Sequence, residues 1–200
     1  MISIYKIKPA FQKLLFPVLR FLHQLGITAN QITWASILLS IGIGICFWYT
    51  QQFHWLLLTL PLGLFTRMAL NALDGMMART YNQQSKQGEL LNELGDVISD
   101  VFIYFPLLKL EPQSAYLTVI FIGLSIINEF TGLLGKVVIN ERRYDGPMGK
   151  SDRAFVVGLY GLLTFFNVNL SPFFNWIMGT ILLLLLISTT IRLTQILKKL

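Results

Sequence analysis

Two sets of oxygen-bearing side chains stand out in an otherwise apolar chain. Asn71 and Asp74 are three residues apart, and Arg67 and Ala78 extend the series by four-residue steps on either side. Asn92, Asp96 and Asp100 follow, again four apart. Residues three and four apart share one face of a helix. Each set therefore forms a stripe, and the polar stretch 80–88 between them turns the chain, so the stripes run antiparallel and can meet. Asn71, Asp74, Asn92 and Asp96 are expected to form an oxygen cluster with no Lys or Arg to neutralise it. Hard divalent cations, Mg2+ or Mn2+, suit such a cluster. Hydrogen bonding between helices would account for the asparagines but accounts poorly for two unpaired aspartates. Arg67 falls level with Asp100 and deeper in the apolar layer, where neither charge is stable alone. The two are expected to form a structural ion pair.

The elements that must position these residues are membrane helices. Of the 200 residues, 54% are hydrophobic and 13% charged, the latter about half the share of a soluble domain. The mean hydropathy is +0.61. A soluble fold of this size cannot hide so much apolar surface. We expect one all-α integral membrane domain over 1–200. Its six-helix bundle occupies 31–195, with spans near 31–50, 53–74, 89–110, 114–138, 153–170 and 174–195, each close to the ~20 residues that cross a bilayer. An amphipathic interfacial helix is expected before them, within 1–28. There Phe11, Leu14, Leu15, Val18, Leu19 and Leu22 recur at helical spacing beside Gln12, Lys13 and Arg20. Pro17 is expected to bend it. Thr28 and Gln31 suit a capping box for the first span.

The net charge of +6 comes without a nucleic-acid motif, and no nucleic acid is expected as partner. The basic residues instead collect on one side. Lys6, Lys8, Lys13 and Arg20 precede the first span, and Arg79, Lys86, Lys136, Arg142, Arg143, Lys150, Arg153, Arg192, Lys198 and Lys199 fall at the loops and terminus of the same side. The other side carries Lys109 alone. Positive residues mark the cytoplasm, so both termini and the polar cluster are expected at the cytoplasmic face, in a bacterial inner (plasma) membrane. Cys46 is the single cysteine, which excludes an internal disulfide and a cysteine metal site. No secretory leader is expected, because basic residues run through the first apolar stretch.

The stretch from Asp74 to Asp96 adds a motif. Asp74-Gly75 is followed by Ala78-Arg79, then eight residues to Gly88, then Asn92 and Asp96 at four-residue steps. This resembles the signature of the CDP-alcohol phosphotransferase (phosphatidyltransferase) family, Asp-x2-Asp-Gly-x2-Ala-Arg-x8-Gly-x3-Asp-x3-Asp. Six fixed residues coincide, against chance odds of about one in 10⁵ at average residue usage. Asn71 and Asn92 stand where the first and third aspartates belong, so two formal charges are missing from what resembles a two-metal site. Asn still offers a carbonyl oxygen.

The resemblance implies transfer of a phosphatidyl group from CDP-diacylglycerol to a small polar alcohol or a lipid headgroup, with release of CMP. It makes Asp96 the general base, the four oxygens the metal ligands, and Gly75, Ala78, Arg79 and Gly88 nucleotide-binding. By analogy with relatives that hold a phosphorylated acceptor, Lys150 and Arg153, with Arg142 and Arg143, would grip an acceptor phosphate. The basic loop leans the acceptor toward glycerol 3-phosphate, although the fourth span carries Asn128 and Glu129 in place of basic residues. Gly149 is expected in a turn before the fifth span, with Ser151 as its N-cap. A homodimer is expected by family analogy. Competing readings are a degenerate, scaffold-like family member, and a divalent-cation transporter. A transporter needs polar residues through to the outer side, and the outer halves of these spans are apolar.

Overall fold

The computed structural model describes residues 8–200. Lys6 and the beginning of the 1–28 segment lie outside the described residues, as does the side chain of Lys8. The described chain is all-helical: α1 (Lys8–Gln24), α2 (Ala29–Trp48), α3 (Thr59–Thr80), α4 (Lys86–Tyr104), the short α5 (Leu107–Leu110), α6 (Ala115–Ile139), α7 (Lys150–Phe165) and α8 (Phe174–Leu197). Four helical stretches are long and apolar enough to cross a membrane: Ala29–Trp48, His54–Thr80, Pro112–Ile139 and Ser171–Leu197. Two of the six expected spans fall short. α4 carries Lys86, Glu89, Glu93, Asp96 and Asp100, and α7 has only 16 residues.

The expected ends also shift for identifiable reasons. The third span, expected to run to 110, breaks after Tyr104, because Pro106 has no N–H with which to continue the ladder. The fifth, expected over 153–170, begins at Lys150 and ends at Phe165. Gly149 rather than Ser151 is its N-cap, and the Asp152 carboxylate accepts from the Gly149 N–H at 3.2 Å. At its far end Asn167 takes a left-handed φ of +61°. Thr28 and Gln31 do form a capping box at the start of α2.

α2 packs against both α3 and α4, α6 against α8, α3 against α7, and α1 against α3. One core joins Phe47, Leu60, Ile103, Tyr104, Phe121 and Leu185. A second sits under α1, where Leu15 and Leu19 meet Leu73 and Met77. Leu14 and Val18 of the expected apolar face are exposed, and the helix runs through Pro17 without a break. Large apolar side chains such as Leu38, Leu62, Phe65 and Trp176 point outward. That suits a lipid surround, in which apolar exposure carries no cost and every helix satisfies its own backbone.

Candidate active site

A cavity of about 250 Å³ opens between α3, α4, α6, α8 and the α6–α7 connection. Its walls include Asn71, Asp74, Asn92 and Asp96, so the two stripes meet as their spacing implies. α2 lies against both helices and supplies the hydroxyls that hold the stripes. Thr33 Oγ1 donates to Asp74 Oδ2 at 3.0 Å, and Ser36 Oγ donates to Asn71 Oδ1 at 2.6 Å. Asn92 Nδ2 donates to the same Asp74 oxygen at 3.4 Å. Asp74 Oδ1 is buried with no hydrogen-bond partner. A buried carboxylate oxygen without a donor is costly, and a cation beside it removes that cost. The donor set present therefore fits a hard divalent ion. Among the described residues no group of three or more His, Cys, Asp or Glu side chains forms a metal cluster. The cluster's anionic charge comes from the Asp74 and Asp96 carboxylates alone, and the Asn71 and Asn92 amides add neutral oxygens.

One expectation is overturned here. The cluster was expected to have no basic neighbour, yet Lys150 Nζ is ion-paired with Asp96 Oδ1. The two are 54 residues apart, and helical periodicity says nothing about pairing at that range. The contact depends on the 140–149 loop, which α8 pins. Ser188 Oγ and Arg192 Nε both donate to Asp145 O, at 3.2 and 3.1 Å. Gly146 takes a φ of +92°, and a Cβ there would lie 2.6 Å from Ser188 Cα. Only glycine fits that turn.

A chain of alternating charges runs from beneath the cavity into its wall. Arg67 Nη1 lies 2.8 Å from Asp100 Oδ1. Arg153 Nη2 reaches Asp100 Oδ2 at 2.7 Å and Glu129 Oε1 at 3.1 Å. Arg142 Nη2 continues to Glu129 Oε2 at 3.2 Å and Glu93 Oε2 at 2.8 Å. Four helices and the loop are tied together. Arg153, expected to grip an acceptor, is instead fully buried in this floor. A guanidinium at such depth must spend its donors on carboxylates. Arg143 pairs with Glu141 and Asp145 and is not part of the cavity wall.

The remaining motif residues divide. Gly75 and Arg79 line the cavity, with Arg79 exposed at its rim. Ala78 packs in the core under α1, and Gly88 lies against the first turn of α2, where a Cβ would come 2.6 Å from Asn30 Oδ1. Neither is in the cavity wall. Spacing alone missed Thr33, Ser36, Glu93 and Arg192. A signal for the first two existed: Thr33, Ser36 and Ser40 form a buried hydroxyl stripe on α2 at steps of three and four.

The CDP-alcohol phosphatidyltransferase family model matches residues 26–191. The inner membrane protein YnbA of Escherichia coli (strain K12) is 48% identical over 160 residues, covering 80% of this chain and 79% of that protein. An uncharacterized protein of Aquifex aeolicus (strain VF5) is 30% identical over 95 residues, 48% of this chain and 46% of its own. Among solved structures, the Mycobacterium tuberculosis phosphatidylinositol phosphate synthase PgsA1 with CDP-DAG bound has a TM-score of 0.75 at 20% identity, covering 90% of this chain and 92% of that one. The same synthase in complex with manganese and citrate also gives 0.75 at 20% identity, covering 90% and 87%. At that identity the likeness is one of fold.

Proposed function

The chain belongs to the CDP-alcohol phosphatidyltransferase family, a class of membrane transferases in phospholipid synthesis, and on that premise we propose that it moves the phosphatidyl group of CDP-diacylglycerol onto an alcohol. The observation that carries this is the convergence of Asn71, Asp74, Asn92 and Asp96 in one cavity, with a buried Asp74 oxygen lacking a partner. CDP-DAG bound to the structurally similar synthase supports the donor.

In this reading the acceptor oxygen attacks the phosphorus that bears the diacylglycerol. The new O–P bond forms as the bond to the bridging oxygen breaks, and CMP leaves with that electron pair. Asp96, at the position the motif gives to the base, takes the hydroxyl proton. Its pair with Lys150 engages Oδ1 and leaves Oδ2 for the proton. Arg79 at the rim, beside Gly75, binds the donor's diphosphate.

Asp74, Asp96 and the amide oxygens of Asn71 and Asn92 would hold a divalent cation, Mg2+ or Mn2+, which when bound neutralises charge on the diphosphate. Manganese in the similar synthase supports this. Two carboxylates where the family pattern has four favour one ion over two.

α4 and α7 complete a six-helix bundle around the polar site, and α1 lies in the interface. The side rich in Lys and Arg, with the cavity and both termini, faces the cytoplasm of a bacterial inner membrane. A homodimer would use α4 and α6, whose outward faces expose Leu90, Leu94, Phe130 and Val137. The expected lean toward glycerol 3-phosphate rested on free basic residues at 142, 143, 150 and 153. All four are paired in the fold, which removes that support.

The test is CMP release by the purified protein from CDP-diacylglycerol, with Mn2+ or Mg2+ and a panel of alcohols, beside Asp96→Asn. Acceptor-dependent CMP that disappears in the variant is the expected result. No CMP above the background of the variant with any alcohol would reject the reading in favour of a degenerate member, with Asn71 and Asn92 as the reason.

A further inference from the structure

The pairing of the basic residues around the cavity points to the class of acceptor. We propose that the acceptor is a hydroxyl compound that carries no phosphate or carboxylate of its own. This rests on the transferase reading above.

Each basic residue that the sequence resemblance assigns to an acceptor anion is already held by a carboxylate. Lys150 is on Asp96, and Arg153 is on Asp100 and Glu129. Arg142 is on Glu93 and Glu129, and Arg143 is on Glu141 and Asp145. Arg192, the remaining basic residue deep in the wall, gives Nε and Nη1 to the main-chain oxygens of Asp145 and Asn128. Among these carboxylates Glu129 is decisive. It is only 8% exposed, and both its oxygens are taken, one by Arg153 and the other by Arg142.

A phosphate seated on Arg142 would have to displace Glu129 or Glu93, and would then lie against the carboxylate it had displaced. Like charges at such range in a partly dry cavity repel strongly. The total charge leads to the same conclusion. Four basic and five acidic side chains line the cavity. A divalent cation would be offset by the donor's diphosphate, which leaves no positive surplus for a second anion. A neutral hydroxyl requires no displacement. Every ion pair can stay in place around it.

The experiment compares acceptors in matched pairs with the purified full chain, CDP-diacylglycerol and Mn2+. Glycerol and myo-inositol are set against glycerol 3-phosphate and myo-inositol 1-phosphate, with ethanolamine as a cationic arm, and kcat/KM is read from CMP release. The uncharged member of each pair, or ethanolamine, is expected to be favoured by about tenfold or more. Equal or better use of a phosphorylated member overturns the inference and leaves the transferase reading standing. No CMP with any of the five rejects both together. Glu129→Gln and, should that variant fold poorly, Glu93→Gln are expected to move the phosphorylated-to-uncharged ratio upward by about tenfold. An unmoved ratio in a folded variant also overturns the inference.

Discussion

Arg153 on α7 and Glu129 on α6 meet at 3.1 Å across 24 residues of sequence, and the same Arg153 nitrogen also holds Asp100. This guanidinium is a structural junction rather than a ligand contact. Arg153→Met should therefore lower stability by about 3–5 kcal/mol, since it leaves buried carboxylates short of a partner. Thermal unfolding in detergent reads this. An intact melting temperature with a raised acceptor KM would instead return Arg153 to the binding site.

Asp74→Asn separates ion binding from folding. The wild-type chain should melt higher as Mn2+ is added, by about 2.7 kcal/mol at a hundredfold excess over Kd. The variant should fold and lose that response along with CMP release. A full Mn2+ response in the variant would mean that the ion binds elsewhere.

Lys150→Gln removes the ammonium that competes for Asp96. Half-saturation by Mn2+ should then fall, because Asp96 Oδ1 becomes free for the ion. A weaker Mn2+ response would mean that Lys150 orients the ligands rather than competing with them.

Ser36→Ala and Thr33→Val remove the α2 hydroxyls from Asn71 and Asp74. Each should cost about 1 kcal/mol of stability, with CMP release reduced at saturating acceptor. Wild-type turnover in the double variant would show that α2 is not needed to orient the cluster.

Gly146→Ala places a Cβ where φ is +92° and Ser188 Cα is 2.6 Å away. A loss of about 1–3 kcal/mol is expected. Because the loop also carries Arg142 and leads to Lys150, activity should fall further than stability. A neutral outcome on both measures would show that the loop relaxes away from α8.

Much of this site could be read from the sequence because helical arithmetic is local. Depth along two antiparallel stripes was enough to pair Arg67 with Asp100, and Thr28 with Gln31 needed only one turn of chain. The apolar runs found the helices but overran their ends. Leu107 and Leu108 look like more span, whereas Pro106 had already stopped the hydrogen-bond ladder. The basic loop misled for a different reason. Lys150, Arg142 and Arg153 each find a carboxylate on another helix, and partners separated by 13 to 54 residues leave no periodic trace.

Arg79 stands apart from the charges below it. It is exposed at the rim, and among the described residues no carboxylate forms an ion pair with it. The two ends of the cavity should therefore differ in their response to ionic strength. Salt screens an exposed guanidinium, with a Debye length of about 8 Å at physiological concentration, but scarcely reaches buried pairs. Donor capture should weaken as salt rises, while acceptor selectivity, set by the floor, stays constant. On the proposed roles, the rim and the floor would divide the work of the site into a screened encounter and an unscreened choice.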